Sequence, residues 1–252
     1  MKLTGNTIFI TGGGSGIGRG LAEAFHKLGN KVIIAGRRKA NLEEVVSANP
    51  GMASYELDIT DPVDIKAVAA KLIKDHPDLN VLINNAGIMP FDDASTVIDD
   101  ALMQQIVTTN LYGPIRLTSA LVEHLKTKED AVIVNNTSVV AYVPLALNAI
   151  YSATKAGLHA YTLAQRFTLR KTSVKLQEIA PPWVDTDLIK KSGDPRAMPL
   201  DAFIAETMQK LGGDDLEIVV DMIKAARDNP GSKEHALFNE LNESLASNPI
   251  PH

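Results

Sequence analysis

The sequence predicts an α/β fold, an open sheet of parallel strands covered by helices on both faces. Three observations carry that reading. Short, β-branched apolar runs alternate with helical patterns along most of the chain. A glycine-rich loop joins the first run to the first helical pattern. Asp, Asn and Ser residues recur just past the ends of later runs, where open α/β sheets bind their ligands. At 252 residues one domain spanning 1–252 is expected, since α/β folds of this size are often undivided.

Composition narrows the class. The 45% hydrophobic and 22% charged content is that of a soluble globular protein. A formal net charge of −5 argues against a nucleic-acid partner, which wants a basic face. The absence of cysteine excludes disulfides and thiolate metal sites. The six histidines are scattered without paired ligand spacing, so no bound metal is expected. No apolar stretch approaches 18 residues, so no membrane span is expected. Met1 to Ile10 has one lysine and runs into a glycine turn without a signal-peptide pattern, which makes the cytoplasm the expected location.

Thr7 to Ile10 reads as the first buried strand. Thr11-Gly12-Gly13-Gly14-Ser15-Gly16-Ile17-Gly18 follows, then Leu21, Ala24, Phe25 and Leu28 at helical spacing up to Gly29. In that context helix-terminal amides favour a pyrophosphate, and glycines let the backbone approach it. The spacing is G-x-x-x-G-x-G on Gly12, Gly16 and Gly18, not the strict G-x-G-x-x-G. Gly14, Ser15 and Ile17 fall within the same candidate site, and a plain tight turn is the alternative. Val32 to Ala35, the second strand, ends in Gly36-Arg37-Arg38. An acid here would hold a ribose 2′-hydroxyl, whereas arginine accommodates a 2′-phosphate. Arg37 and Arg38 therefore favour NADP(H), with NAD(H) second; solvated charges opening the next helix are the alternative.

A helix over Ala40 to Ala48, a turn at Asn49-Pro50-Gly51 and a strand over Ser54 to Leu57 come next. Asp61 with Pro62 predicts an N-cap and first helical position for the helix Val63 to Asp75. Asp58 is too early for that cap and stands at a strand's C-terminal end. Val81 to Ile83 is the fourth strand, and Asn84-Asn85-Ala86-Gly87 closes it with residues small enough to admit a flat ring or a ribose, with asparagines that simply close a turn as the alternative. After the loop Ile88 to Ser95, a helical pattern runs from Thr96 to Lys126. Asn110 is a poor helix former inside it, and Gly113-Pro114 predicts a kink that frees a carbonyl. Val132 to Asn135 is strand five, running into Asn136-Thr137-Ser138.

Asn148 to Arg170 reads as one long helix. It places Tyr151 and Lys155, four residues apart, on one face. A free phenol titrates near ~10, and a neighbouring ammonium favours its phenolate, bringing the pair toward proton transfer at neutral pH. Val174 to Ile179 is strand six. From Pro181-Pro182-Trp183 to about Gly213, apolar residues among Gly, Pro and charges predict a partly helical substrate flap, 183–213, with a packing layer or oligomer contact as the alternative. A helix over Asp214 to Asp228, a turn at Asn229-Pro230-Gly231-Ser232 and a short final segment, Ala236 to Ala246, complete the chain.

Together these residues resemble the classical short-chain dehydrogenase/reductase family, from about Thr7 to Thr186. The motifs are T-G-x-x-x-G-I-G at Thr11 to Gly18, Asp58, N-N-A-G at Asn84 to Gly87, Asn110, Ser138 and Y-S-A-T-K at Tyr151 to Lys155. Within the family the chain resembles DltE-like oxidoreductases. The resemblance implies a single doubly wound Rossmann sheet of six to seven strands. It also implies hydride transfer between a nicotinamide coenzyme and a small carbonyl or alcohol substrate. Tyr151 would be the general acid or base, Lys155 would lower its pKa and bind the nicotinamide ribose, and Ser138 would polarise the carbonyl. Asn110 would hold a water linking Lys155 to solvent. Asp58 and Ile59 would meet the adenine, Asn84, Ala86 and Gly87 the ribose side, and Val184 and Thr186 the carboxamide.

Two departures stand out. Pro182 replaces the family's usual glycine after strand six, which should stiffen the flap base. The tail at about 232–252 lacks the family's V-D-G-G ending, so strand seven should be short or replaced by helix. A homodimer or homotetramer is expected, with the dimer favoured. A dinucleotide-binding sensor without turnover is the alternative function.

Overall fold

The computed structural model describes residues 1–189, 193–228 and 234–248. The turn expected at Asn229 to Ser232 and the end of the tail lie outside the described residues. The strands are β1 (Thr7–Thr11), β2 (Lys31–Gly36), β3 (Ala53–Glu56), β4 (Val81–Asn84), β5 (Val132–Asn136), β6 (Lys175–Ala180) and β7 (Glu217–Val219). They form one parallel sheet in the order β3-β2-β1-β4-β5-β6-β7. The order reverses between β1 and β4, and a crevice opens outside the strand ends at such a switch point.

Residues buried on both faces explain why these runs are continuously apolar. Ile8 and Ile10 of β1 pack with Leu21 and Phe25 of α1 (Gly16–Lys27) in the core on one side. Phe9 between them faces the opposite core, with Leu82, Leu117 and Leu121. The helices after β2 and β3 are α2 (Lys39–Ala48) and α3 (Pro62–Asp75). Asp61 caps α3, its carboxylate accepting from the Val63 amide at 2.7 Å, with Pro62 in the first turn.

The long pattern from Thr96 divides into α4 (Asp100–Val107), a π-turn over Thr108–Tyr112, and α5 (Gly113–Leu125). Asp99 starts α4 by accepting from Ala101 N at 2.9 Å, so the helix begins four residues later than expected. The break is a π-bulge rather than a kink at Pro114, which opens α5 in its first turn, where its missing N–H is harmless. The long helix is α6 (Ala149–Leu169).

The helix expected over Asp214 to Asp228 is corrected. That stretch holds β7, a 3-10 turn at Asp221–Ile223 and the short α8 (Lys224–Arg227). Ile218 and Val220 are buried alternately, but three strand residues give too short a period-2 signal to beat a helical reading. Pairing of Ile179 with Ile218 on the sheet edge decides it. Strand seven is thus short and lies upstream of the tail, which forms α9 (Glu234–Ser247). The expected flap contains a 3-10 turn, Asp187–Ile189, and α7 (Leu200–Leu211), whose Phe203 and Leu211 join the first core. No helix among the described residues is long and apolar enough to cross a membrane.

Candidate active site

A cleft of about 1320 Å³ lies over the carboxyl ends of the strands. At one end the glycine loop supplies its floor. Gly12 has φ +67°, and a Cβ there would lie 3.0 Å from Ala86 Cα; Gly18 packs so closely that a Cβ would be 2.3 Å from Gly12 O. Gly18 thus holds α1 against the loop rather than lining the cleft. Gly12, Gly14, Ser15, Gly16 and Ile17 do line it. The α1 N-terminus has no side-chain cap, because the Ser15 hydroxyl accepts from Arg38 at 2.8 Å instead. Open helix-terminal amides above a glycine cradle, with Arg37 and Arg38 on the wall, fit a dinucleotide diphosphate.

Ile59, Ala86 and Gly87 line the same end. Asp58 does not; its carboxylate accepts from Thr60 N at 2.9 Å and Thr60 Oγ1 at 2.7 Å. Burial pushes that carboxyl up, but the Thr60 hydrogen bonds and the Arg37 charge outweigh it and leave the pKa lowered. Asn84 is placed differently from expectation. It ends β4 facing the helical layer, and its amide donates to Thr118 Oγ1 at 2.9 Å and Asn135 Oδ1 at 2.8 Å. The cleft-lining asparagine is its neighbour Asn85, a residue sequence reasoning missed. Asn85 donates to Thr11 O at 3.0 Å and accepts from Asn136 at 2.7 Å, joining β1 to β5 across the switch point. Strand alternation was the available signal, since residues 84 and 85 must face opposite ways.

Ser138, Tyr151 and Lys155 meet in the middle of the cleft. Ser138 caps the turn after β5, its hydroxyl accepting from Val140 N at 3.3 Å, and it acts on the Tyr151 phenol. Burial pushes that phenol up to about 12, against the downward pull of Ser138. Burial also pulls the Lys155 ammonium down to about 8, opposed by the Glu178 carboxylate. In the free protein lost solvation governs the phenol. Lys155 Nζ stands 5.6 Å from the phenol ring centroid and donates to Asn136 O at 2.8 Å. Asn110, on the π-bulge, sits behind this group. It donates to Ile88 O at 2.8 Å and accepts from Ile88 N at 2.9 Å. A Cβ on Gly87 would lie 3.3 Å from Asn110 Oδ1 and 3.9 Å from Lys155 Nζ, so glycine leaves the two side by side.

Val184 and Thr186 begin the far wall. Val184 bridges Met198, closing the flap base after Pro181-Pro182. The Thr186 side chain stands 3.4 Å from where a Gly16 Cβ would be, which seats the wall on the glycine loop. Beyond lie Leu188, Met222 and three residues of α9 that sequence reasoning did not single out, Leu237, Leu241 and Leu245. Their i, i+4, i+8 spacing was the signal. Asn242 docks the helix, donating to Pro144 O at 3.2 Å and accepting from Ala146 N at 2.6 Å.

Comparison with known proteins agrees with this geometry. The model of the short chain dehydrogenase family matches residues 6–197. The chain is 36% identical over 248 residues to the uncharacterized oxidoreductase DltE of Bacillus subtilis, covering 96% of this chain and 98% of that one. It is 32% identical to the NADP-dependent 3-hydroxy acid dehydrogenase of Schizosaccharomyces pombe, over 77% of this chain and 78% of that one. It spans 58% and 61% of two longer relatives. A short chain dehydrogenase from Burkholderia cenocepacia, solved with NADP, superposes with a TM-score of 0.84 at 26% identity, covering 96% and 99% of the two chains. The chain belongs to the short-chain dehydrogenase family, as an oxidoreductase of that family.

Proposed function

We propose that this protein is an NADP(H)-preferring carbonyl reductase, working in reverse as an alcohol dehydrogenase, with Tyr151 as its acid and base. The observation that carries the reading is the meeting of Ser138, Tyr151 and Lys155 in one cleft with the uncapped amides of α1. The glycine loop, Arg37 and Arg38 would hold the coenzyme's phosphates. A bound nicotinamide coenzyme supplies or takes the hydride. Ser138 orients the substrate oxygen by hydrogen bonding. Tyr151, protonated at neutral pH, gives its proton to the oxygen as negative charge develops there. Lys155, largely charged near pH 7, stabilises the phenolate left behind. Asn110 keeps the Ile88 backbone and the Lys155 side of the cleft in place and, by resemblance, leads a water toward solvent. Asp58 and Ile59 would bound the adenine.

Leu188, Met222, Leu241 and Leu245 at the far end support a carbonyl substrate with an apolar chain. Tyr112, Leu163 and Phe167 are exposed along the π-bulge and α6, which supports a homodimer through these helices. Incubation with NADPH and a panel of ketones and aldehydes tests the activity, followed by coenzyme absorbance. Turnover is expected with at least one carbonyl, falling ~10²-fold or more in Tyr151→Phe. Coenzyme binding with no oxidation across the panel would point to a sensor instead.

A further inference from the structure

The face of α6 that carries Tyr151 and Lys155 continues one turn further to His159. That side chain enters a polar network the reaction above does not use. His159 Nδ1 lies 2.9 Å from Oε1 of Glu178, a wholly buried residue of β6. The same carboxylate accepts from Thr137 Oγ1 at 2.6 Å. Thr137 stands between Asn136, whose carbonyl receives the Lys155 ammonium, and Ser138. On the outer side, Glu217 of β7 lies 3.9 Å from His159 and receives the Arg227 guanidinium at 2.9 Å and the Tyr142 hydroxyl.

A buried carboxylate costs several kcal/mol unless it is paired, so its retention calls for a partner that needs it. The imidazole and carboxylate ligand atoms of this cluster lie within 4.8 Å of one another. Arg227 and Tyr142 already occupy Glu217, however, so protein groups balance the cluster without an added cation.

We propose that Glu178 is a positioning residue of the active centre. Together with His159 it ties the Asn136-Thr137-Ser138 end of β5 to the helix bearing Tyr151, and it supplies the negative field in which the Lys155 ammonium stands. The inference rests on the reductase reading for what Lys155 does, but not for the field itself. The groups facing Glu178 are Thr137 after β5, Lys155 and His159 on α6, Tyr142 after the turn that Ser138 caps, Glu217 on β7 and Arg227 on α8. The His159 pKa is raised, by its hydrogen bond to Glu178 first, against the effect of burial.

The sign of the effect separates field from packing. Glu178 opposes the burial that pulls Lys155 down to about 8. Removing its charge must lower that pKa further. Loosening of the site would instead admit water and raise it toward ~10.4.

The test is Glu178→Gln in the full chain. The Lys155 side chain is titrated by NMR of 13Cε-labelled lysine, assigned with Lys155→Arg, beside the pH profile of NADPH oxidation. We expect the Lys155 midpoint and the alkaline limb of kcat to move down together by about one pH unit. Thr137→Val, which keeps the charge, should lower kcat without moving the midpoint. An unchanged or raised midpoint in folded Glu178→Gln overturns the proposal. Should that variant not fold, Glu178→Asp serves: it draws the charge back by one methylene, and the Lys155 midpoint should fall by a smaller amount. An unmoved or raised midpoint in that variant then overturns the proposal. A wild type that reduces no carbonyl defeats the reductase reading, yet both titrations still report on the field.

Discussion

The two arms of the cleft are made of different material. The coenzyme arm is backbone: the glycine loop, the strand ends at Ala86 and Gly87, and the α1 amides, with no room for a methyl group at Gly18 and little at Gly12. The substrate arm is side chain: leucines and methionines on the flap, the segment after β7 and α9, held by a few hydrogen bonds such as those of Asn242. Backbone geometry at a switch point tolerates one ligand shape, whereas an apolar wall of separate elements can be re-cut by substitution. Single changes should therefore act all-or-none in the first arm and by degrees in the second.

The largest break is expected at Gly18. An added Cβ would stand 2.3 Å from Gly12 O, a backbone atom that cannot move without carrying the loop. Gly18→Ala should weaken NADPH binding ~10²-fold and lower stability by about 1–3 kcal/mol, the usual range for overpacking. Gly36→Ala is the control, since its Cβ would meet only Leu42 Cδ2 at 3.8 Å. Isothermal calorimetry and thermal melts check both. Equal, small effects in the two variants would remove the contrast between the arms.

The same difference governs what could be read from the sequence. The coenzyme arm was legible because close backbone packing demands glycine, and glycine leaves a mark at fixed spacing: Gly12, Gly16 and Gly18 stand where the loop needs them. Tyr151, Lys155 and Ser138 were legible through helix periodicity and strand ends. Asn84 was misplaced because a motif names residue types and not the face each one takes. The protonation of the centre was out of reach for a related reason. Spacing brings an ammonium near a phenol, but only the fold sets how much water both lose, and in the free protein burial raises Tyr151. β7 and α9 were hardest. Three edge residues hold too little pattern, and the leucines of α9 acquire meaning only once Asn242 docks the helix over the cleft.

A smaller effect that sharpens the coenzyme arm is expected at Arg37. It lines the wall beside the end of β2, where its charge also acts on Asp58. Arg37→Ala should weaken NADPH by about 10- to 50-fold, the worth of one charge-assisted hydrogen bond at a phosphate, and NADH by less than about 3-fold. Fluorescence titration with each coenzyme checks it. Equal losses for both would mean that the arginine steadies the loop rather than reading a 2′-phosphate.

The smallest effect should come from the substrate arm, and its form matters more than its size. Leu241 lies midway along the α9 stripe, between Leu237 and Leu245, and faces the cleft from a helix held by the hydrogen bonds of Asn242 and by Asn248, whose carbonyl accepts from Arg196 at 2.6 Å. Leu241→Ser leaves those anchors untouched and removes apolar wall worth about 1 kcal/mol to a methylene or two of substrate. For a carbonyl compound carrying a chain of several methylenes, kcat/KM should fall about 5-fold, mostly through KM, because that contact is the same in ground and transition states. For a two- or three-carbon aldehyde, which does not reach the stripe, kcat/KM should not change. A chain-length series measured on both proteins gives the answer as a slope. Parallel slopes would mean that α9 covers the cleft without reading what lies in it, and the graded character assigned to this arm would have to be sought in the flap alone.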